Sequence, residues 1–220
     1  SSQEAWTRSR IHRRPDTLPR EARRHITING KHTCEHDFSA LHLRLLYTTV
    51  EAPLPDVRDP YSLPYGEAHR STVKTAFNVM VNSLKWPSHT TVPDFSTTRL
   101  GMSWKQFLNG IIAHHQPIAA YFNSGAGGWL QRADADIAER IMLRFVDMQQ
   151  PCLPIHDSFI TYATLDDLLP QIMEEVASDF MRCSIPTKRT YLSEYAGPTG
   201  LVMDDIEALL TEFGTSSQFR

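Results

Sequence analysis

Asn29-Gly30 stands between two short stretches with strand composition, His25–Ile28 and His32–Phe38. That dipeptide is the strongest short-range signal for a β-hairpin, because both of its residues tolerate a positive φ. A second stretch rich in β-branched and aromatic residues, Cys152–Tyr162, is interrupted at His156-Asp157 and reads as another hairpin with that pair at its tip. The remaining periodic segments are helical, over about 40–48 with Ser39 as the cap, then 66–84, 103–115, 129–148 and 165–182. A Pro-rich loop (Pro53, Pro55, Pro60, Pro64), a loop over 86–100 and a turn at Gly125, Gly127 and Gly128 separate them. A few strands with more helix, and no regular βαβ alternation, predict an α+β fold: a small antiparallel sheet backed by helices.

The chain of 220 residues suffices for one large domain or one and a half. Hydrophobic content of 41% and charged content of 21% are those of an ordinary soluble globular protein. With no apolar run of bilayer length and no signal peptide, the expectation is a cytoplasmic protein without a membrane partner. Cys34, Cys152 and Cys183 are far apart and odd in number, forming neither a disulfide framework nor a zinc pattern, which fits a reducing compartment. The net charge of −3 does not advertise nucleic-acid binding, but its distribution is uneven. Residues 1–24 hold seven Arg against three acids, and from Thr164 onward ten acids face four Lys or Arg. Phosphate contacts would therefore involve the basic head. Near the other end Ile206, Leu209, Leu210 and Phe213 have the spacing of an amphipathic helix.

The chemistry-bearing residues are sparse. Asp37 sits where a strand candidate ends and a helix begins, and Asp157 sits at a predicted hairpin tip. Two strand-end carboxylates, if adjacent, hold two Mg²⁺ ions (with Mn²⁺ as the substitute) for phosphoryl transfer, because hard cations take oxygen ligands and share them with substrate phosphates. On the helix over 66–84, Arg70, Lys74, Asn78 and Asn82 recur every four residues and so share one face. Two cations followed by two amides form a stripe suited to a triphosphate, a sugar and a base. Other candidates read as structural. His114-His115 point about 100° apart on a helix and do not converge on one ion. Asp136 and Arg140 have the spacing of a surface pair. Of Trp86, Trp104 and Trp129, at least two are expected in the core.

In this order the segments resemble the family A DNA polymerases, the bacterial DNA polymerase I group. Asp37-Phe38-Ser39-Ala40-Leu41-His42-Leu43-Arg44-Leu45-Leu46 is similar to motif A, D-Y-S-Q-I-E-L-R-x-L. Arg70-x3-Lys74-x3-Asn78-x3-Asn82 resembles motif B, R-x3-K-x3-F-x3-Y, and Ile155-His156-Asp157 resembles the V-H-D of motif C. Between them Leu130-Gln131-Arg132-Ala133-Asp134-Ala135-Asp136-Ile137 is similar to the family's Q-G-T-A-A-D-I helix. The resemblance covers roughly residues 20–182. It implies a polymerase palm with a reduced fingers helix and a DNA template–primer and nucleoside triphosphates as partners. Asp37, Asp157 and the Phe38 carbonyl would hold metal. Arg70 and Lys74 would bind the triphosphate, with Lys74 assisting the leaving pyrophosphate. Asn78 and Asn82 would lie at the sugar and base, Gln131 at the minor groove, His156 beside the primer terminus, and Arg23 or Arg24 on the primer backbone.

The pattern departs from the family at several places. His42 replaces the Glu that excludes a ribose 2′-hydroxyl, Asn78 and Asn82 replace aromatics, and Ser158 replaces the acid after the motif C Asp. His156-Asp157-Ser158 and Arg70-Ser71-Thr72-Val73-Lys74 are closer to the single-subunit phage-type RNA polymerases. A ribonucleotide-using polymerase or primase is therefore the rival expectation, and a palm kept only to bind nucleic acid is another. The domain reading is a basic arm (1–22), palm (23–65), reduced fingers (66–128), palm (129–185) and tail (186–220). No thumb precedes Asp37, so a further chain or segment is expected to supply one.

Overall fold

The computed structural model describes residues 18–56, 58–63 and 69–193. They form two compact units. The first takes in the described residues of Ser1–Phe38, Ile141–Glu174 and Thr187–Arg220; the second is Ser39–Arg140 with Glu175–Pro186.

The first unit holds an antiparallel sheet. A short helix α1 (Arg20–Arg23) precedes strand β1 (Thr27–Ile28), and Asn29 and Gly30 then turn the chain with φ of 51° and 71°. Positive φ at both turn residues is the type I′ requirement that selects Asn-Gly. Strand β2 (Lys31–Phe38) pairs with β1 at its start, with β4 (Ser158–Tyr162) over Thr33–Asp37, and with β5 (Thr187–Leu192) over Cys34–Phe38. Strand β3 (Leu153–Ile155) closes the hairpin with β4. All four pairings are antiparallel. Every residue of β4 is buried, which its β-branched and aromatic composition permits. Phe38 meets Phe159 edge to face, with centroids 6.4 Å apart.

The second unit is helical: α2 (Leu41–Thr49), α3 (Arg70–Asn82), α4 (Thr97–Leu100) and α5 (Trp104–His114). The boundary between the units falls inside α6 (Gly127–Asp147) and α7 (Leu168–Met181). Helix α3 buries Val73, Ala76, Phe77, Met80 and Val81. Phe77 is the hub of an aromatic core, 5.6 Å from Tyr61, 5.5 Å from Phe122 and 5.3 Å from His115. Helix α5 begins with a capping box in which Ser103 and Gln106 satisfy each other's backbone donors.

The α+β class is as expected, with three local differences. Ser39 is not the cap of α2. Its N–H donates to the Pro186 carbonyl, and Ala40 begins the helix in the left-handed region with φ 55° and no side-chain cap. The segment 86–100 contains α4, capped by the Ser96 side chain, and a 3-10 turn over His89–Thr91. The stretch expected to begin a tail contains β5. The amphipathic segment around Ile206–Phe213 and most of the basic arm lie outside the described residues. Among the described residues no helix is long and apolar enough to cross a membrane.

Candidate active site

Strand pairing brings Asp37 and Asp157 together. Asp37 lies one residue before the end of β2 and pairs across the sheet with Ser158, the residue after Asp157. The next residue, Phe38, donates its backbone N–H to the Asp157 carbonyl at 3.0 Å. The β3–β4 hairpin turns through His156 and Asp157, with His156 at φ 52°. A positive φ at the first of two turn residues is the type II′ pattern, and His tolerates it better than a β-branched residue would.

The electrostatics of this corner suit a cation. Asp37 Oδ1 is buried and has no hydrogen-bond partner. Burial, then the neighbouring Asp157 charge, pushes the Asp37 carboxyl above its ordinary value, while Arg20 and Lys188 oppose the shift. Lys188 lies on β5 directly across from Asp37. The two carboxylates are hard oxygen donors, which suit Mg²⁺ or Mn²⁺ better than a softer ion. An orphaned oxygen beside a second carboxylate is the defect that a bound cation would repair.

Behind this pair lies a buried polar cluster that no motif in the sequence announces. Glu35, on the same face of β2 as Asp37, is fully buried. It accepts from Arg23 Nε at 3.0 Å, Arg23 Nη2 at 2.6 Å and the Ser158 hydroxyl at 2.9 Å. The Ser158 hydroxyl also lies 2.9 Å from the Ile155 carbonyl. Arg23 is therefore engaged by Glu35, in a bidentate pair, whereas Arg24 lies beside His25, its Nε 3.2 Å from the imidazole. Ser158 is tied into this cluster and braces the hairpin that presents Asp157. His156 is exposed at the tip.

The second unit carries the other candidates. Arg70, Lys74 and Asn82 are exposed along one face of α3, and Asn78 is half-buried among them. Arg70 holds Asp59 through both carboxylate oxygens, at 2.5 and 2.8 Å. Burial disfavours the Asp59 carboxylate, but hydrogen bonds from Arg70 and the Tyr61 amide, with the Arg70 and Lys74 charges, hold it below its ordinary value. Both cations lie over the Tyr61 ring, at 5.7 and 5.9 Å from its centroid. Asn82 donates to the Asn78 carbonyl at 2.8 Å, and its side chain lies so close to Gly127 that a Cβ there would collide with it. His42 Nε2 is 3.9 Å from an Asp134 carboxylate oxygen, and Gln131 is exposed on α6.

Two expectations are corrected. Asp136 pairs with Arg132, not Arg140, which lies over the Phe180 ring at 5.0 Å. Trp86 and Trp129 are 60% and 38% exposed, and Trp104 is half-buried against Phe95 and Phe107, so none of the three is a fully buried core residue. His115 is a core residue bonded to the Tyr47 hydroxyl at 3.0 Å, its ring perpendicular to that of His114.

No family model matches the chain, and no curated protein matches it. Among solved structures it is similar to the POL domain of Pol1 from M. smegmatis, in complex with DNA primer-template and dNTP, at 12% identity and a TM-score of 0.49. That match covers 74% of this chain and 40% of the other, so the chain spans well under half of its length.

Proposed function

We propose that the chain is a template-directed nucleotidyltransferase of the family A DNA polymerase type. A primer 3′-hydroxyl attacks the α-phosphate of a nucleoside triphosphate and pyrophosphate leaves. The juxtaposition of Asp37 and Asp157, with Asp37 Oδ1 buried and unpartnered, carries this reading. When bound there, a pair of divalent ions would supply positive charge to the attacking and leaving oxygens.

The chain's own residues do the positioning. Asp37, Asp157 and the Phe38 carbonyl would hold the metal, and the Arg23–Glu35–Ser158 cluster keeps the Asp157 hairpin in register. Arg70 and Lys74 bind the triphosphate, and Lys74 stabilises the departing pyrophosphate. Asn78, Asn82 and His42 lie toward the sugar and base. Gln131 and Arg24 contact the template–primer, and His156 lies beside the primer terminus. Most of the rate comes from orientation and charge. The domain assignments, and a thumb contributed by a further chain or segment, belong to the same proposal.

His42 in place of an acidic residue favours tolerance of a ribose hydroxyl, so sugar choice is the natural test. Labelled dNTPs and, separately, NTPs are offered on a primed DNA template with Mg²⁺. Incorporation of deoxynucleotides supports the DNA polymerase reading, and a preference for ribonucleotides would move the chain to the primase or RNA polymerase class. A folded protein that binds DNA and incorporates neither would leave a nucleic-acid-binding palm.

A further inference from the structure

The alternation that puts Glu35 and Asp37 on one face of β2 puts Cys34 and His36 on the other. There the chain places three metal-ligating side chains together. The Cys34 thiol, a His36 ring nitrogen and an Asp166 carboxylate oxygen all lie within 4.8 Å of one another. Cys34 is fully buried and His36 is 6% exposed. His36 Nε2 is 2.9 Å from Asp166 Oδ1, and its other nitrogen, Nδ1, is buried with no hydrogen-bond partner. Protein groups therefore do not fully satisfy this histidine, which is unusual for so buried a polar side chain.

We propose that Cys34, His36 and Asp166 form a binding site for a borderline divalent ion, Zn²⁺ in chemical class, separate from the two-carboxylate corner. Thiolate, imidazole and carboxylate are the zinc donor set, with bonds of about 2.0 to 2.3 Å, which separate donors on one four-coordinate ion by about 3.3 to 3.8 Å. Small side-chain rotations bring the three groups to that spacing. Mg²⁺ does not fit, because it demands oxygen ligands in octahedral array. Binding releases the thiol proton to solvent. A thiolate and a carboxylate then offset the charge of the dication.

Two further features support the assignment. Arg189 Nη1 donates to Asp166 Oδ2 at 2.6 Å, fixing the carboxylate that would be the ligand. An open cleft of about 650 Å³ reaches His36 and Asp166 between Glu174 and Arg189, giving an ion a path in and room for a water as fourth ligand. The motif is illegible in the sequence because Asp166 lies 130 positions from His36.

The test is Co²⁺ titration of the full chain after chelator treatment and dialysis. The expected result is one equivalent of Co²⁺ with thiolate-to-cobalt charge-transfer absorption and the intense visible bands of four-coordination, displaced by Zn²⁺. Cys34→Ser abolishes the charge-transfer band, Cys183→Ser leaves it intact, and Asp37→Asn leaves it intact, which separates this site from the proposed Mg²⁺ corner. Absence of the band in the folded wild-type chain overturns the proposal, as does its survival in Cys34→Ser. If Cys34→Ser fails to fold, Asp166→Asn, which keeps the shape of the ligand, decides between the outcomes. A loss of Zn²⁺ affinity of at least about tenfold supports the site, and unchanged affinity overturns it.

Discussion

Burial and the neighbouring Asp157 charge oppose ionisation of Asp37, as the proposed metal site would require of one of its carboxylates. Its carboxyl is raised above the ordinary 3.8, first by burial and then by Asp157. A carboxyl raised in the folded state contributes most stability while protonated, and that contribution is lost as pH rises through the raised value. Asp37→Asn removes the cost. Without metal, its melting temperature is expected to exceed that of the wild type by a few degrees at pH 7, with the gap closing as pH falls toward 4. Calorimetry at several pH values checks this, and a wild type that is the more stable at pH 7 would refute it. His115 behaves in the opposite sense. Burial, helped by the His114 charge, lowers it to about 3 from 6.5. Its contribution is present above pH 6.5 and is lost as pH falls toward 3, at about 1.4 kcal/mol per pH unit for one proton. His115→Gln, which keeps a polar partner for the Tyr47 hydroxyl, is expected to flatten the dependence of urea-unfolding stability on pH between 6.5 and 5. At this scale Asp37 and Asp157 stand out in the sequence as candidates because they sit where strand patterns end, and Arg70 and Lys74 because they recur four residues apart on one helix. Glu35, Lys188 and Asp59 are not, because only sheet register and tertiary packing make them neighbours of the candidate residues.

Among the elements, those with strong local punctuation are readable. Asn29-Gly30 announces one hairpin and the gap at His156-Asp157 the other, and α3, α5, α6 and α7 follow from period alone. Strand β5 escapes a reading of the sequence because Lys188-Arg189 interrupts its apolar pattern and it becomes a strand only by pairing with β2. The start of α2 misleads for a related reason. Ser39 has cap chemistry, but its backbone is taken by Pro186, and the helix begins one residue later through a left-handed Ala40. An alanine there costs about 1–2 kcal/mol, part of which glycine loses again to the greater freedom of the unfolded chain. Ala40→Gly is therefore expected to stabilise the protein by up to about 1 kcal/mol, read from the urea midpoint at constant slope. A loss of stability would mean the packing of the alanine methyl outweighs the strain. Gly127→Ala is expected to do the reverse, by about 1–3 kcal/mol, because its Cβ would collide with Asn82 at the end of α3.

For the whole molecule, the sheet-bearing unit and the helical unit divide the candidate residues between them, the carboxylates in one and the Arg70–Lys74 stripe in the other. Lys74→Ala and Asp157→Asn should each lower the proposed activity while leaving the protein folded. Metal-dependent nucleotidyl transfer at Asp37 and Asp157 is the reading on which the other roles depend. The decisive experiment is primer extension with Mg²⁺, comparing the wild type with Asp37→Asn and Asp157→Asn, both verified as folded. The expected outcome is incorporation by the wild type, its loss on adding EDTA, and a fall of about a hundred- to a thousandfold in each variant, the scale on which removing charge stabilisation acts. Extension that survives in both variants would show that these carboxylates do not carry the reaction.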